Sequence, residues 1–89
     1  MPSYKFLVSG RVQGVYYRAN VAKNAQTAKV SGYVKNLADG NVEACVTCHQ
    51  EKLEAFKGIL KKGSLLSKVM SIKEMPCSET FSGVFEVRT

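Results

Sequence analysis

Asp39-Gly40 constrains this chain more than any other feature. An Asp-Gly pair suits the positive backbone angles of a tight hairpin turn. It sits in Ala38-Asp39-Gly40-Asn41, near the middle of 89 residues, with strand-like runs on both sides: Gly32 to about Leu37 and Val42 to about Thr47. A helical pattern lies outside each strand. Tyr16 to about Lys29 is alanine-rich, and Ala19, Ala22, Ala25 and either Gln26 or Lys29 recur at helical spacing. Gln50 to Lys62 carries an apolar stripe of Leu53, Phe56, Ile59 and Leu60 and stops at Gly63. Three further strands are expected outside the helices: Tyr4–Ser9, Val69–Met75 (ending before Pro76), and Phe81–Arg88. The order β-α-β-β-α-β plus a terminal strand predicts an α+β, ferredoxin-like sandwich. Two helices should cover one face of a mainly antiparallel sheet with an extra C-terminal strand. Residues 1–89 are expected to form one domain.

Charge narrows the function. Thirteen Lys and Arg against seven Asp and Glu give a formal charge of +6, which draws in anions from small phosphates to nucleic acid. The lysines are spread along the chain, so they make a general positive field rather than a polybasic tail. No apolar stretch approaches the length needed to cross a bilayer. Met1-Pro2-Ser3-Tyr4-Lys5 runs straight into a strand without a signal-peptide profile, so a cytoplasmic location is expected. Cys45, Cys48 and Cys77, an odd count, then read as reduced thiols.

Between the first strand and first helix lies Gly10-Arg11-Val12-Gln13-Gly14-Val15-Tyr16-Tyr17-Arg18. Glycine lets backbone approach a ligand at unusual angles. The first N–H groups of a helix lack partners and favour a phosphate, and arginine adds a fork that grips two phosphate oxygens. The segment is not a Walker loop, since no Gly-Lys-Ser/Thr follows. On shape alone it serves equally as plain connection. Asn36, just before the hairpin, has an ordinary role in the turn. In this fold, however, the end of the second strand can approach the loop after the first.

Other motifs point elsewhere. Cys45-Val46-Thr47-Cys48-His49 matches the haem attachment pattern, and with Cys77 it has the ligand types of a zinc site. Haem attachment normally needs export, for which no signal is seen. Residues 45 and 48 of one strand face opposite sides, which argues against zinc. Neither is therefore expected, and the metal and cofactor complement is none. RNA-binding modules of this fold stack bases on sheet aromatics. The run Val42-Glu43-Ala44-Cys45-Val46-Thr47 has none, which argues against a nucleic-acid partner.

The segment Gly10 to Arg18 closely resembles the first signature of acylphosphatases. Gly32-Tyr33-Val34-Lys35-Asn36 followed by Gly40-Asn41-Val42-Glu43 resembles the second, and Phe81-Ser82-Gly83-Val84-Phe85-Glu86-Val87 looks like the family's last strand. The likeness covers essentially the whole chain. Tyr17 replaces a usual phenylalanine, Cys48-His49 a usual glycine and proline, and Ser64-Leu65-Leu66 a proline-bearing stretch. The resemblance implies hydrolysis of an acyl phosphate to a carboxylate and inorganic phosphate, without membrane association, by a monomer. It implies that Arg18 and backbone N–H groups from Gln13, Gly14, Val15, Tyr16, Tyr17 and Arg18 bind the phosphoryl group. Asn36 would orient the attacking water. Domains of this family also occur within larger proteins, so a non-catalytic module that binds phosphate or carbamoyl phosphate is the alternative. A basic nucleic-acid-binding domain is a more distant one.

The chemistry fits so sparse a set. An acyl phosphate expels a carboxylate whose conjugate acid has a pKa of about 4, so it departs as an anion without a general acid. The loose transition state of phosphoryl transfer asks little of a base, and positioning with charge stabilisation carries most of the work. An amide oxygen cannot deprotonate water but can accept its hydrogen bond.

Overall fold

A computed structural model describes Met1–Thr89. The elements run β1 (Ser3–Arg11), α1 (Tyr17–Thr27), β2 (Ser31–Asn36), β3 (Val42–Thr47), α2 (Gln50–Lys62), β4 (Lys68–Pro76) and β5 (Glu86–Arg88). The five strands form one sheet in the order β4-β1-β3-β2-β5. Pairing is antiparallel except between β2 and β5. This is the expected ferredoxin-like α+β architecture. No helix is long and apolar enough to cross a membrane.

Alternation decides which side of the sheet each residue meets. Even-numbered strand residues Phe6, Val8, Val34, Val42, Ala44 and Val46 share one core cluster with Val21, Ala22 and Ala25 of α1 and Leu53, Phe56 and Leu60 of α2. Both helices therefore cover the same face. Phe56 lies at the centre, its ring 5.9 Å from that of Phe6 and 5.8 Å from that of Phe85. The odd-numbered residues make a polar face. There Glu43 takes a hydrogen bond from the Tyr33 hydroxyl at 2.7 Å and faces Lys5 and Lys35, each at 3.8 Å.

Five details differ from the sequence expectation. The buried side of α1 is Tyr17, Val21, Ala22 and Ala25, and Ala19 is exposed; alanine is small enough to sit on either side, so it marked the stripe poorly. The helix also closes at Thr27, because Lys29 takes a left-handed backbone (φ 60°) and turns the chain. β4 includes Pro76 rather than ending before it. It is an edge strand paired only with β1, where a missing N–H is tolerated. Only Glu86–Arg88 of the Phe81–Arg88 run is strand. Before Glu86 the chain crosses the end of the sheet: the Phe81 amide donates to Thr47 Oγ1 at 2.9 Å, and the Phe85 carbonyl is taken by Gln26 Nε2 at 2.9 Å. β1 runs on to Arg11 through a bulge at Ser9/Gly10. A Cβ at Gly10 would meet the Lys68 carbonyl at 2.2 Å, so that glycine serves strand packing.

Strand directions position the site. β1 and β2 both run antiparallel to β3, and β5 runs parallel to β2. The C-terminal ends of β1, β2 and β5 therefore gather at one end of the sheet.

Candidate active site

At that end a cavity of about 360 Å³ is lined by Val12, Gly14, Tyr16, Tyr17, Arg18, Ala19, Asn36 and Val87. Its floor is the loop between β1 and α1. Gly14 has φ 73° and Tyr16 φ 63°, both left-handed, and these turn the chain sharply into the helix. Tyr16 is the N-cap of α1, and no side chain caps the helix. The N–H groups of Gly14, Val15 and Tyr16 donate to no other group. Those of Tyr17 and Arg18 open the helix, where no intrahelical acceptor exists. A run of free amide donors at a helix start, without an acidic residue in the first turn, suits a bound anion.

Arg18 stands in the first turn of α1, half-buried. Its Nη1 donates to the Arg88 carbonyl at 2.8 Å, which docks the guanidinium on β5. The Arg88 guanidinium lies 4.1 Å above the Tyr33 ring and pairs with Glu86 at 3.2 Å, which fixes the C-terminal strand in turn.

Asn36 is the last residue of β2 and pairs with Val42 beside the hairpin. Its Oδ1 is buried and has no hydrogen-bond partner. A buried acceptor left unmet costs roughly 1–3 kcal/mol, and native structures hold few of them. Here it belongs to a residue lining the cavity that holds Arg18 and the free amides.

Arg18, Asn36, Gly14, Tyr16 and Tyr17 are brought together as expected. Val15 and Gln13 are not on the cavity wall. Val15 is in the core. The Gln13 side chain clamps two elements: its Nε2 donates to the Leu37 and Asn41 carbonyls, each at 2.8 Å. This ties the β1–α1 loop to the β2–β3 hairpin and so sets Asn36 against the cradle. Nothing local in the sequence marks that role, since the partners lie 24 and 28 residues away. Val12, Ala19, Val87 and Arg88 were likewise not among the expected site residues.

The remaining candidates separate. Cys45 donates to the Tyr33 hydroxyl at 3.2 Å on the polar face, and Cys48 is buried in the helix-side core. His49 is exposed at the start of α2. No group of three or more His, Cys, Asp or Glu side chains is arranged to hold a metal ion. Burial pushes the Cys45 thiol up to about 11 and raises that of Cys48, so both are poor nucleophiles near neutral pH. Burial also raises the Tyr17 hydroxyl, which donates to the Leu60 carbonyl at 2.8 Å.

A family model described as Acylphosphatase matches residues 4–87. The chain is similar to an acylphosphatase of Nitrosococcus oceani, 39% identical over 82 residues and covering 92% of each chain. An acylphosphatase of Thermus thermophilus is 45% identical over 73 residues, 82% of this chain and 83% of its relative. The fold superposes on the crystal structure of acylphosphatase from Bacillus subtilis with a TM-score of 0.87, at 36% identity and full coverage of both chains.

Proposed function

This chain belongs to the acylphosphatase family, and on that premise we propose how its site divides the reaction among its residues. The reaction is hydrolysis of an acyl phosphate to a carboxylate and inorganic phosphate. Arg18 and the N–H groups of Gly14, Tyr16, Tyr17 and Arg18 hold the phosphoryl oxygens, and Asn36 Oδ1 accepts a hydrogen bond from the attacking water. As the acyl C–O–P bridge breaks at phosphorus, the carboxylate leaves with the electron pair and the water oxygen forms the new P–O bond. A phosphoryl oxygen takes the water proton. Negative charge on the transferring group meets donors already oriented, so little reorganisation is needed as the bond breaks.

The observation that carries this reading is the unpartnered Asn36 Oδ1 beside an arginine and a row of free amides. A rotation of the Asn36 side chain toward the cavity would let a water beside the phosphoryl group satisfy it. The test is Asn36→Ala. Steady-state hydrolysis of acetyl phosphate should show a large fall in kcat, while inorganic phosphate inhibits as it does in the wild type. A variant that keeps its kcat but loses phosphate affinity would make Asn36 a phosphate-binding residue instead.

The same reading includes one domain over residues 1–89, a monomeric protein without a nucleic-acid partner, and a cytoplasmic location. Size-exclusion chromatography with light scattering tests the monomer.

A further inference from the structure

Tyr16 holds a left-handed backbone (φ 63°) although it carries a side chain. That region is disfavoured for residues with a Cβ, so surrounding contacts must hold it. The peptide on each side of Tyr16 is pinned through its carbonyl. Ser64 Oγ donates to the Val15 carbonyl at 2.5 Å. The Tyr16 carbonyl accepts from the Asn20 amide at 3.1 Å and from Asn20 Nδ2 at 3.0 Å. In a planar trans peptide the C=O and N–H point in opposite directions, and the chain has no cis peptide. Fixing the Val15 carbonyl therefore fixes the Tyr16 N–H, and fixing the Tyr16 carbonyl fixes the Tyr17 N–H. Both N–H groups point away from the residues that pin them.

Asn20 belongs to α1 itself, but Ser64 comes from a different element, the turn after α2. That turn is internally braced. The Ser64 amide donates to Ser67 Oγ at 2.8 Å, and the Ser64 carbonyl accepts from Ser67 Oγ at 2.9 Å and from its amide at 3.1 Å. The hydroxyl is thus delivered to Val15 from a fixed position.

We infer that Ser64 is a positioning residue for the phosphate cradle: by holding the Val15 carbonyl, it keeps the Tyr16 N–H aimed at the phosphoryl group. This rests on the proposed role of the cradle amides. Without the hydroxyl, the Val15–Tyr16 peptide is free to rotate and relieve the left-handed angle, and one donor leaves the cradle.

The test compares Ser64→Ala, Ser64→Thr and Arg18→Lys with the wild type. The readouts are inhibition of acetyl phosphate hydrolysis by inorganic phosphate, KM, and the thermal midpoint. Ser64→Ala should weaken phosphate inhibition roughly tenfold, the effect of losing one hydrogen bond to a charged group. KM should rise in parallel, and Ser64→Thr should restore both at an unchanged midpoint. Unchanged inhibition in Ser64→Ala overturns the inference. So does weakened inhibition that tracks a lowered midpoint and is not recovered by threonine. If Arg18→Lys alone weakens inhibition, the Ser64 role fails and the cradle stands; if neither does, the cradle assignment itself fails.

Discussion

Asn36 and Cys45 lie on neighbouring strands and show two fates for a buried polar group. The Asn36 Oδ1 is left without a partner next to the cavity. The Cys45 thiol is satisfied by Tyr33 on the polar face. The first is a stability cost kept where a ligand can offset it; the second is structural. Cys45 also gives a pH signature. Its ordinary value is 9.0 and burial raises it to about 11 in the folded chain. Between these values the unfolded chain has lost the thiol proton and the folded chain has kept it. Stability from this group is therefore full below pH 9.0 and is lost as the pH rises toward about 11. Thermal midpoints of the wild type should fall across that window, and Cys45→Ala should fall less steeply. Equal slopes would mean the thiol is not what titrates. The sequence placed Asn36 correctly because it closes a strand beside Asp39-Gly40, but its missing partner has no sequence counterpart.

Among the elements, those fixed by local pattern were legible and those fixed by distant contacts were not. α2 matched its expected span because Leu53, Phe56 and Leu60 repeat at helical spacing and Gly63 ends the run. The hairpin matched because Asp-Gly sets its turn within a few residues. β5 was overextended because Phe81, Gly83 and Phe85 alternate like a strand. Phe81 instead packs edge-on against Tyr33 on the polar face, at 5.4 Å, while Phe85 enters the helix-side core. A segment that passes from one face to the other around the end of a sheet looks alternating without being paired. The Gln13 clamp is the same problem at the site. It holds the β1–α1 loop and the β2–β3 hairpin together through two carbonyls. The Gly40 amide also donates to the Leu37 carbonyl, and the Leu37 amide to the Asn41 carbonyl. Gln13→Ala should therefore remove one of the two hydrogen bonds that each carbonyl accepts, and losing two such bonds should cost about 1–3 kcal/mol in urea denaturation. It should also lower kcat, because Asn36 is no longer held against the cradle. Full kcat at reduced stability would show the clamp to be structural only.

Across the whole molecule, strand direction turns a common fold into a site. A sandwich of this kind hosts many functions. Here β1, β2 and β5 end together, and each supplies one part: the loop leading to Arg18, Asn36, and the Arg88 carbonyl that docks Arg18. The +6 charge of the chain adds a field that favours anionic substrates approaching from any side. None of these parts is a strong acid, base or metal ligand, and an acyl phosphate is the phosphate substrate whose own leaving group makes such parts unnecessary. The central claim is that an oriented cation, not charge alone, performs the catalysis. Arg18→Lys keeps the charge and removes the planar fork. The most direct measurement is kcat/KM of this variant for acetyl phosphate. A fall of roughly 100-fold or more, the scale of losing one preorganised donor, is the predicted result. Near-wild-type turnover from the lysine variant would contradict it.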